Sequence, residues 1–497
     1  MNKFVIVILV GWSTGLFAQQ GINNIWMMGY DNVVGPPNWG GIKVDFFSGI
    51  PTISAESLKM DFDRTYTNIA DSNGNILFYT NGWDICDATD SVILNGDTIA
   101  PNKFRILYPY YGGVPFPQAC LTIPFPDDVN KYLLFHSTID SGYGYTFYLY
   151  YTEIDMTLNN GLGAVTTNKN VKLISDSLNL GKITACKHGN GRDWWVVCMQ
   201  SNSDTIYKFL VTPYGIDGPF KQAIGTKRLP SYGEVKFSPD GNKFAFFNAD
   251  YTAYGKLEVF DFDRCSGMFS NPIYIAVAQS KSFGGGVEFS PNSNYLYVSN
   301  AEIIYQYELS QPNLAATEIN VAAWDSFVDP FNQLQVGFMN TQLAPDGKIY
   351  ITSGNSTHYM SVIDQPDNPG LACNVMQHAV QLPALYFNTL PNHPNYFLGA
   401  NGLCNNLSYE SLESGKVKKV TVFGNPTHDK FTLWFPPDKD VGWLEIFDVN
   451  GECIRTERVS QWSQYKTVDI VGLGAGVYFC KLRWRSGEGS AKVVKLE

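Results

Sequence analysis

Charged side chains are scarce in this 497-residue sequence, which contains 35 Lys and Arg against 46 Asp and Glu. The net charge of −11 argues against a nucleic-acid partner, because proteins that bind nucleic acid collect basic residues to neutralise phosphates. Beyond the N-terminus, no stretch reaches the roughly 20 consecutive apolar residues that a membrane helix needs. The sequence therefore indicates neither a nucleic-acid-binding protein nor a helical membrane protein.

Sequence signatures of catalysis are also missing. There are only six His, and the motifs of zinc proteases, serine hydrolases, P-loops and dinucleotide-binding folds do not occur. None of the nine Cys has a metal-ligand spacing, and their odd number leaves at least one thiol free or paired with another chain. A chain of this length has enough core to fold without disulfides, so we assign no pair.

The N-terminus has the form of a targeting segment. Lys3 is followed by an apolar run over residues 4–10, and Ala18-Gln19 is a plausible cleavage point. No Cys lies near that point, the first being Cys86, so a lipoprotein anchor is not indicated. We expect residues 1–19 to be a signal peptide and the mature protein to be exported and soluble.

What the sequence does contain is a repeat. FSPDGNKFAFF at residue 237 is echoed by FSPNSNYLYVS at 289 and LAPDGKIYITS at 343, with looser echoes near residues 69, 123 and 186. The hairpins recur every 50 to 61 residues, and alternating aromatic and β-branched runs follow each one. A period of about 50 residues holding several short antiparallel strands is typical of one β-propeller blade.

The Ser-Pro-Asp-Gly motif is best explained as a turn. Pro239 presets the first corner, Asp240 tolerates the second, and Gly241 adopts the left-handed conformation. The equivalent residues 290–294 read Ser-Pro-Asn-Ser-Asn, which keeps the turn chemistry without the acid or the Gly. We therefore interpret Asp240 as architecture and not as a catalytic carboxylate.

Blade number follows from ring closure. Six hairpins are visible. An open ring would leave a strand edge with unpaired backbone groups, so we expect residues 390–399 and 24–58 to close the ring as one shared, seventh blade. We expect an all-β fold whose residues 20–404 form a propeller with seven blades. Six and eight blades remain open alternatives.

The F-S-P-D-G hairpin with its aliphatic exit strand resembles TolB-like and WD-type (WD40-like) propeller repeats. The match is specific over residues 237–246 and good over 343–352. The stretches at 70–82, 188–195 and 390–399 resemble a propeller family common in surface proteins secreted by the type IX route. This resemblance implies a fold and a location but no settled biochemical activity.

Three residues are candidates for a site in the propeller channel: His188, Glu234 and Glu288. His188 precedes Gly-Asn-Gly-Arg-Asp and points either into the channel or to the backbone of its own turn. Glu234 and Glu288 precede Phe237 and Phe289 by three residues and one residue, so they are not equivalent. Propeller lactonases and phytases hold Ca²⁺ among channel carboxylates, which makes calcium the one ion to consider here.

The C-terminal region has a different character. Residues 405–417 are polar and predict a linker. Residues 418–497 contain about seven alternating strands, with a hairpin signal at Asn450-Gly451. Residues 416–497 carry 13 basic and 10 acidic side chains, whereas the rest of the chain is strongly acidic. We expect a separate, small Ig-like β-sandwich.

This region resembles the type A C-terminal sorting domain of type IX secretion. The matching stretches begin at residues 420, 446, 469 and 493, with Phe423-Gly424 in place of the family's usual Tyr-Pro. The family's signal residues correspond to Asn425, Pro426, Gly451, Gly476, Val477, Tyr478 and Lys495. The resemblance implies export through the periplasm, passage by the type IX machinery, removal of the domain and attachment of the passenger to a surface glycolipid.

Two functions are therefore expected from the sequence. The first is a non-enzymatic surface propeller that binds a glycan, a peptide or an envelope protein and needs no cofactor. The alternative is a metal-dependent hydrolase or lactonase with its site in the channel. Three or more converging carboxylates or His would favour the enzyme, whereas a lining of aromatic and amide side chains would favour the binding module.

Overall fold

The computed structural model describes residues 21–31, 38–101, 103–107, 112–139, 146–249, 254–278, 284–401, 404 and 418–496. The expected signal peptide (1–19) and linker (405–417) lie outside the described residues. One short helix, α1 (Lys103–Leu107), and three 3₁₀ turns (Asn159–Gly161, Leu314–Thr317 and Gly370–Cys373) are present among strands. No helix in this part of the chain is both long and apolar enough to cross a membrane.

Seven antiparallel sheets follow one another along the chain before residue 390. The first three contain β1 (Ile25–Gly29), β2 (Gly41–Asp45) and β3 (Thr52–Glu56); β4 (Thr67–Ala70), β5 (Ile76–Thr80) and β6 (Ile85–Asp87); and β7 (Cys120–Pro124), β8 (Lys131–Ser137), β9 (Thr146–Asp155), β10 (Ala164–Val165) and β11 (Val171–Leu178). In the third sheet, β10 and β11 both pair with β9, so the outermost strand is divided in two.

The other four sheets have four strands each, paired in chain order. They contain β12 (Thr184–Lys187), β13 (Trp194–Met199), β14 (Ser203–Thr212) and β15 (Gly215–Arg228); β16 (Val235–Phe237), β17 (Lys243–Asn248), β18 (Tyr254–Asp263) and β19 (Met268–Ala278); β20 (Val287–Phe289), β21 (Tyr295–Ser299), β22 (Ile303–Glu308) and β23 (Ile319–Ala323); and β24 (Thr341–Leu343), β25 (Ile349–Ile351), β26 (Ser356–Ile363) and β27 (Val375–Phe387).

The seven sheets form a closed ring. Buried apolar clusters join each sheet to the next in the chain, as expected where sheets pack face to face around an axis. The ring closes between the first and seventh sheets, where Trp26 and Phe46 pack edge-on against Tyr350 at centroid distances of 5.4 and 5.7 Å. The fold is a seven-bladed β-propeller, as the hairpin period predicted.

The predicted shared blade is wrong, however. The first blade takes its three strands from residues 25–56, and residues 390–399 contain no strand. The edge of β1 that faces away from β2 is satisfied by side chains of the second blade. Met27 N donates to Tyr66 Oη at 2.6 Å, and Asn68 Nδ2 donates to Ile25 O at 2.9 Å. Because these side chains satisfy the backbone groups of the edge, no additional strand is needed there.

Residues 389–401, which we call the channel segment, instead run through the middle of the ring. The side-chain amide of Asn392 donates to Cys120 O and Ile183 O at 2.8 Å each, and its backbone N donates to Tyr66 O at 3.0 Å. Tyr396 Oη donates to Thr122 O at 2.9 Å. The channel segment thus contacts the inner strands of blades two, three and four.

A disulfide fixes the end of this segment. Cys265, in the turn between β18 and β19, is bonded to Cys404, and Arg264 Nη2 donates to Gly399 O at 2.6 Å. The spacing of the nine Cys did not reveal this pair. The other seven thiols are free, consistent with the odd cysteine count, and Cys453 alone among them is exposed.

The Ser-Pro-Asp-Gly hairpin is confirmed as a turn. Phe237 pairs with Phe244 across it, and Asp240 Oδ1 accepts a hydrogen bond from Asn242 N at 3.0 Å. In the next blade, Asn292 Oδ1 accepts from Asn294 N at 2.9 Å in the same way. An amide therefore replaces the acid without a change of geometry.

We expect Asp240→Asn to unfold like the wild type, whereas Gly241→Val should lower the free energy of unfolding by roughly 1–3 kcal/mol. Gly241 has φ 74°, and a Cβ there would lie 2.7 Å from Arg264 Cδ and Leu398 Cδ2. Urea denaturation of the two variants measures the difference. Loss of ligand affinity in Asp240→Asn at unchanged stability would contradict the interpretation of Asp240 as a turn residue.

The C-terminal domain is a two-sheet sandwich with seven strands, in agreement with the prediction. One sheet contains β28 (Thr421–Phe423), β29 (Lys430–Trp434) and β32 (Tyr465–Asp469), and the other contains β30 (Gly442–Phe447), β31 (Cys453–Val459), β33 (Gly476–Trp484) and β34 (Gly487–Lys495). Its core includes Phe431, Leu444, Ile446, Val468 and Leu482. This domain packs on blades four and five. Tyr465 meets Phe220 at a centroid distance of 5.8 Å, and both Tyr465 and Trp434 pack on the apolar cluster of these blades. The Arg458 guanidinium lies 5.3 Å from the Tyr214 ring centroid.

Candidate functional site

Glu288 lies in the middle of β20 and faces the channel. The equivalent middle positions of the neighbouring inner strands are Lys236 in β16 and Gln342 in β24. Lys236 Nζ lies 3.2 Å from Glu288 Oε2 and donates to Gln342 Oε1 at 2.6 Å. Glu288 also accepts from Leu343 N at 2.9 Å. The negative charge of Glu288 is therefore neutralised by Lys236 inside the ring.

Glu234 lies just before β16 and is also buried, at a position that differs from that of Glu288, as the sequence indicated. Its Oε2 accepts hydrogen bonds from Thr341 N at 2.9 Å and Thr341 Oγ1 at 3.0 Å, and its Oε1 accepts from Asn340 Nδ2 at 3.2 Å. Burial raises the pKa of Glu234 to about 7, although Lys236 acts in the opposite direction. This carboxyl ties blade five to blade seven.

Of the two directions considered for His188, the structure shows the one toward backbone groups and not the one into the channel. Its Nε2 donates to Cys265 O at 3.0 Å, and its Nδ1 accepts from Asn190 N at 3.1 Å. Both ring nitrogens are thus used by backbone groups, and burial lowers the pKa of His188. The side chain links the first turn of blade four to the β18–β19 turn beside the disulfide, which is a structural position.

The carboxylates of the channel do not converge on a cation site. Within the described residues, no three His, Cys, Asp or Glu side chains are placed to hold a metal ion. The oxygens of Glu234 and Glu288 instead face N–H, O–H and ammonium donors. This arrangement does not fit Ca²⁺, which needs six to eight oxygen ligands.

A cavity of about 820 Å³ opens at the mouth of the channel where the inner strands end. We call it the funnel. Its floor is the Lys236–Glu288 pair, and its wall and rim include Asn24, Phe47, Lys187, Gln342, Asn395 and Phe397. Phe47 and Phe397 are 57% and 48% exposed, so the rim presents two ring faces to solvent. The lining is dominated by aromatic, amide and apolar side chains.

Local structure explains how the two rim rings are held. Phe47 N donates to Asp45 Oδ1 at 2.9 Å in the turn between β2 and β3. A Cβ at Gly74 would lie 3.1 Å from the Phe47 ring, so the glycine leaves room for it. Phe397 N donates to Asn395 Oδ1 at 3.0 Å within the channel segment. Both rings are therefore held on short, hydrogen-bonded turns.

His393, also in the funnel wall, is neutral. Its Nε2 donates to Asn68 O at 3.0 Å, and burial lowers its pKa to about 3. Its Nδ1 has no hydrogen-bond partner within the described residues. His393 was not predicted as a site residue, because residues 390–399 were expected to form a strand, although Pro391 and Pro394 interrupt the alternation there.

The opposite mouth is smaller, about 260 Å³. Arg64 lies against it, with its guanidinium 4.6 Å from the Phe387 ring centroid and 3.0 Å from Asp63 Oδ2. Between the two mouths, Gln118 Nε2 donates to Val235 O at 2.9 Å and lies 3.4 Å from Asn392 Oδ1. Gln118 and Asn392 thus fill the channel, and the funnel is a blind pocket.

The residues expected to form the sorting signal include several at one end of the C-terminal sandwich. Asn425 Oδ1 accepts from Val494 N at 2.8 Å, and Gly476 pairs with Lys495. Gly451 lies in the turn that follows Phe447, whose strand partner Phe479 is three residues from Gly476. Residues 421–496 match the model of the secretion system C-terminal sorting domain. The tail is a type IX sorting domain. The protein is accordingly exported and is either secreted or attached to the cell surface, and its sorting domain engages the type IX machinery.

The propeller has weaker likenesses. No curated protein matches the sequence. Similar solved structures include a putative 6-phosphogluconolactonase from Bacteroides uniformis (13% identity, TM-score 0.43, covering 73% of this chain and 98% of the other) and a periplasmic gluconolactonase from Pseudomonas aeruginosa (11%, 0.40, 74% and 100%). A putative TolB from Agrobacterium tumefaciens is another (14%, 0.27, 55% and 85%). Because these TM-scores are below 0.5, the propeller assignment depends on the seven sheets described above.

Proposed function

We propose that the propeller is a non-enzymatic binding module that presents the funnel at the cell surface. The observation that carries this proposal is the funnel lining, in which exposed rings and amides surround a floor whose one carboxylate is paired with a lysine. Concave pockets lined by apolar and aromatic groups with a few polar groups are typical ligand sites.

The size of the funnel restricts the ligand class. A blind pocket of about 820 Å³ has room for a few sugar units or a short peptide segment but not for a folded domain. Of the expected ligands, a glycan or a peptide therefore fits the funnel better than a globular envelope protein. An envelope protein would have to insert an extended segment or its own glycan.

We expect Phe397→Ala to weaken ligand binding by about tenfold or more, since the ring covers the ligand at the rim and its loss removes apolar contact area. Glycan and peptide arrays probed with the exported protein identify a ligand, and calorimetry measures its affinity. Tyr274→Ala is the matched control, because Tyr274 is 52% exposed on the outer strand of blade five, away from the funnel. Equal affinities of Phe397→Ala and the wild type would place the binding surface elsewhere.

A metal-dependent hydrolase or lactonase is the weaker candidate, because the carboxylates of Glu234 and Glu288 are already bonded to protein donors and do not form a set of ligands for a cation. Under the binding proposal, excess EDTA should leave both the melting temperature and the ligand affinity unchanged. A fall in melting temperature that added Ca²⁺ reverses would favour the enzyme.

A further inference from the structure

Lys187 differs from the other buried lysines of the described chain. Lys182 donates to Asn179 Oδ1 at 3.2 Å, Lys208 donates to Gly267 O at 2.6 Å, and Lys236 is paired with Glu288. Lys187 is 7% exposed and lies at the end of β12 in the funnel wall. Its Nζ is 4.6 Å from the Trp194 ring centroid, and no acceptor within the described residues is at hydrogen-bond distance.

The stem of Lys187 is almost wholly buried, but its Nζ is not fully enclosed and opens on the funnel, where its N–H donors can meet a ligand. Burial lowers the pKa of Lys187 to about 8; Asp193 acts in the opposite direction, and Arg264 adds to the lowering. Asp193 does not neutralise it, because that carboxylate is bonded to Arg192 Nε at 2.7 Å and Asn190 Nδ2 at 2.8 Å. The Trp194 face supplies a cation–π contact but leaves the N–H donors free. The Lys187 ammonium is therefore a cation in the funnel wall that has no anionic side chain bonded to it among the described residues.

The charges around the funnel indicate the partner. Lys236 and Glu288 compensate each other, so the funnel keeps one unmatched positive charge on a protein of net charge −11. A single ammonium matches a monoanion such as a carboxylate. Arginine, which recognises phosphate and sulfate by paired hydrogen bonds, is missing from the described funnel lining.

The neighbouring side chains indicate what bears the carboxylate. Phe47 and Phe397 on the rim offer apolar faces against which the C–H face of a sugar ring packs. Asn24, Gln342 and Asn395 supply amide donors and acceptors, which suit hydroxyl groups. We propose that the funnel binds a glycan containing uronic acid, with the sugar carboxylate on Lys187 Nζ and a sugar ring on the rim. This inference rests on the proposed binding function and specifies its ligand class.

The test compares an acid with its neutral counterpart on the exported protein. Calorimetry with a galacturonate oligomer should give an affinity at least about tenfold higher than with its methyl ester, because only the acid forms a charge-assisted hydrogen bond. Affinity for the acid should fall as pH rises through about 8, where free Lys187 loses its proton. Equal binding of acid and ester, or no binding of the acid, would overturn the inference.

Two variants test whether Lys187 is the residue that binds the carboxylate of the ligand. Lys187→Met keeps the length of the side chain and should lose about tenfold or more in affinity for the acid while leaving the ester unaffected. Lys172→Met is the matched control, since Lys172 Nζ also lies over an aromatic ring, 3.9 Å from the Tyr148 centroid, but on the outside of blade three. Unchanged acid affinity in Lys187→Met would overturn the assignment of Lys187.

Three further outcomes distinguish failure of the uronate assignment from failure of the binding function. If an oligoglutamate peptide binds more tightly than the uronate, the ligand is an acidic peptide and the glycan class is wrong. If arrays reveal a neutral ligand whose binding depends on Phe397 and not on Lys187, the binding function stands and the anionic class fails. If no ligand depends on Phe397, the proposed function fails as well.

Discussion

Deleting residues 418–497 is expected to trap a folded propeller in the periplasm and to abolish the surface pool. The deletion removes the whole sorting domain, including the end of the sandwich at which Asn425, Gly476 and Lys495 meet. The four-stranded sheet ends at β31 and β34, and the β34 edge is already bonded to Asn425 and Thr427, so β31 is the edge through which an export machine can pair. Cell fractionation, with added protease as a probe of the surface pool, measures the result.

The propeller should still fold after this deletion, but its free energy of unfolding should fall by roughly 1–3 kcal/mol, because the deletion exposes the Phe220 face that Tyr465 covers and removes the contact of Arg458 with Tyr214. The full-length chain expressed in the same cells is the control. Arrival of the truncated protein at the surface would contradict the prediction. Retention of Trp443 and Trp484 in the mature surface form, detected by mass spectrometry, would contradict the expected removal of the domain.

Asn392→Asp is expected to lower the free energy of unfolding by about 3–5 kcal/mol at pH 7. The Asn392 amide donates to two carbonyl oxygens, Cys120 O and Ile183 O, and a carboxylate there would face both of them without a proton to share. Burial should raise the pKa of the new carboxyl above that of an unfolded Asp, near 3.9. The loss of stability should therefore be small below about pH 4, grow as pH rises from about 4 to the folded-state pKa, and level off above it.

Urea denaturation across this pH range measures the effect. Asn395→Asp makes the same change three residues later in the channel segment, but at an exposed position, and should alter stability by no more than about 1 kcal/mol. If Asn392→Asp unfolds like the wild type at pH 7, the channel segment does not hold the ring together through this side chain.

Local patterns predicted the parts of the fold that depend on neighbouring residues. The hairpin at residues 237–246 and the Asn450-Gly451 turn are determined by a few side chains, and both have the expected geometry. The same hairpins accounted for six blades, whereas the seventh was predicted from a shared blade that does not form. Closure of the ring was predicted incorrectly, because satisfaction of the β1 edge by Tyr66 and Asn68 depends on residues about 40 positions away.

The candidate site was less accessible to sequence reasoning. Glu288 was identified as a candidate, but its neutralisation by Lys236 arises only when the inner strands of two neighbouring blades come together in the folded ring. His188 was a candidate because histidine is a common binding and catalytic residue. The sequence does not indicate, however, which way its ring points. Lys187 is the adjacent residue and was overlooked, because an unpaired ammonium can be recognised only by the absence of acceptors around it in three dimensions.

The Cys265–Cys404 bond has a mechanical consequence for a protein held at a surface. Residue 404 is the last position before the expected linker, so an anchor attached beyond it would pull on the chain at this point. Without the bond, that pull would run along residues 389–401 and draw them out of the ring, one hydrogen bond at a time. With it, the load passes sideways into the β18–β19 turn and spreads across the four paired strands of blade five. In an anchored form of the protein, the load would thus reach the propeller through blade five, and the channel segment would stay in the ring.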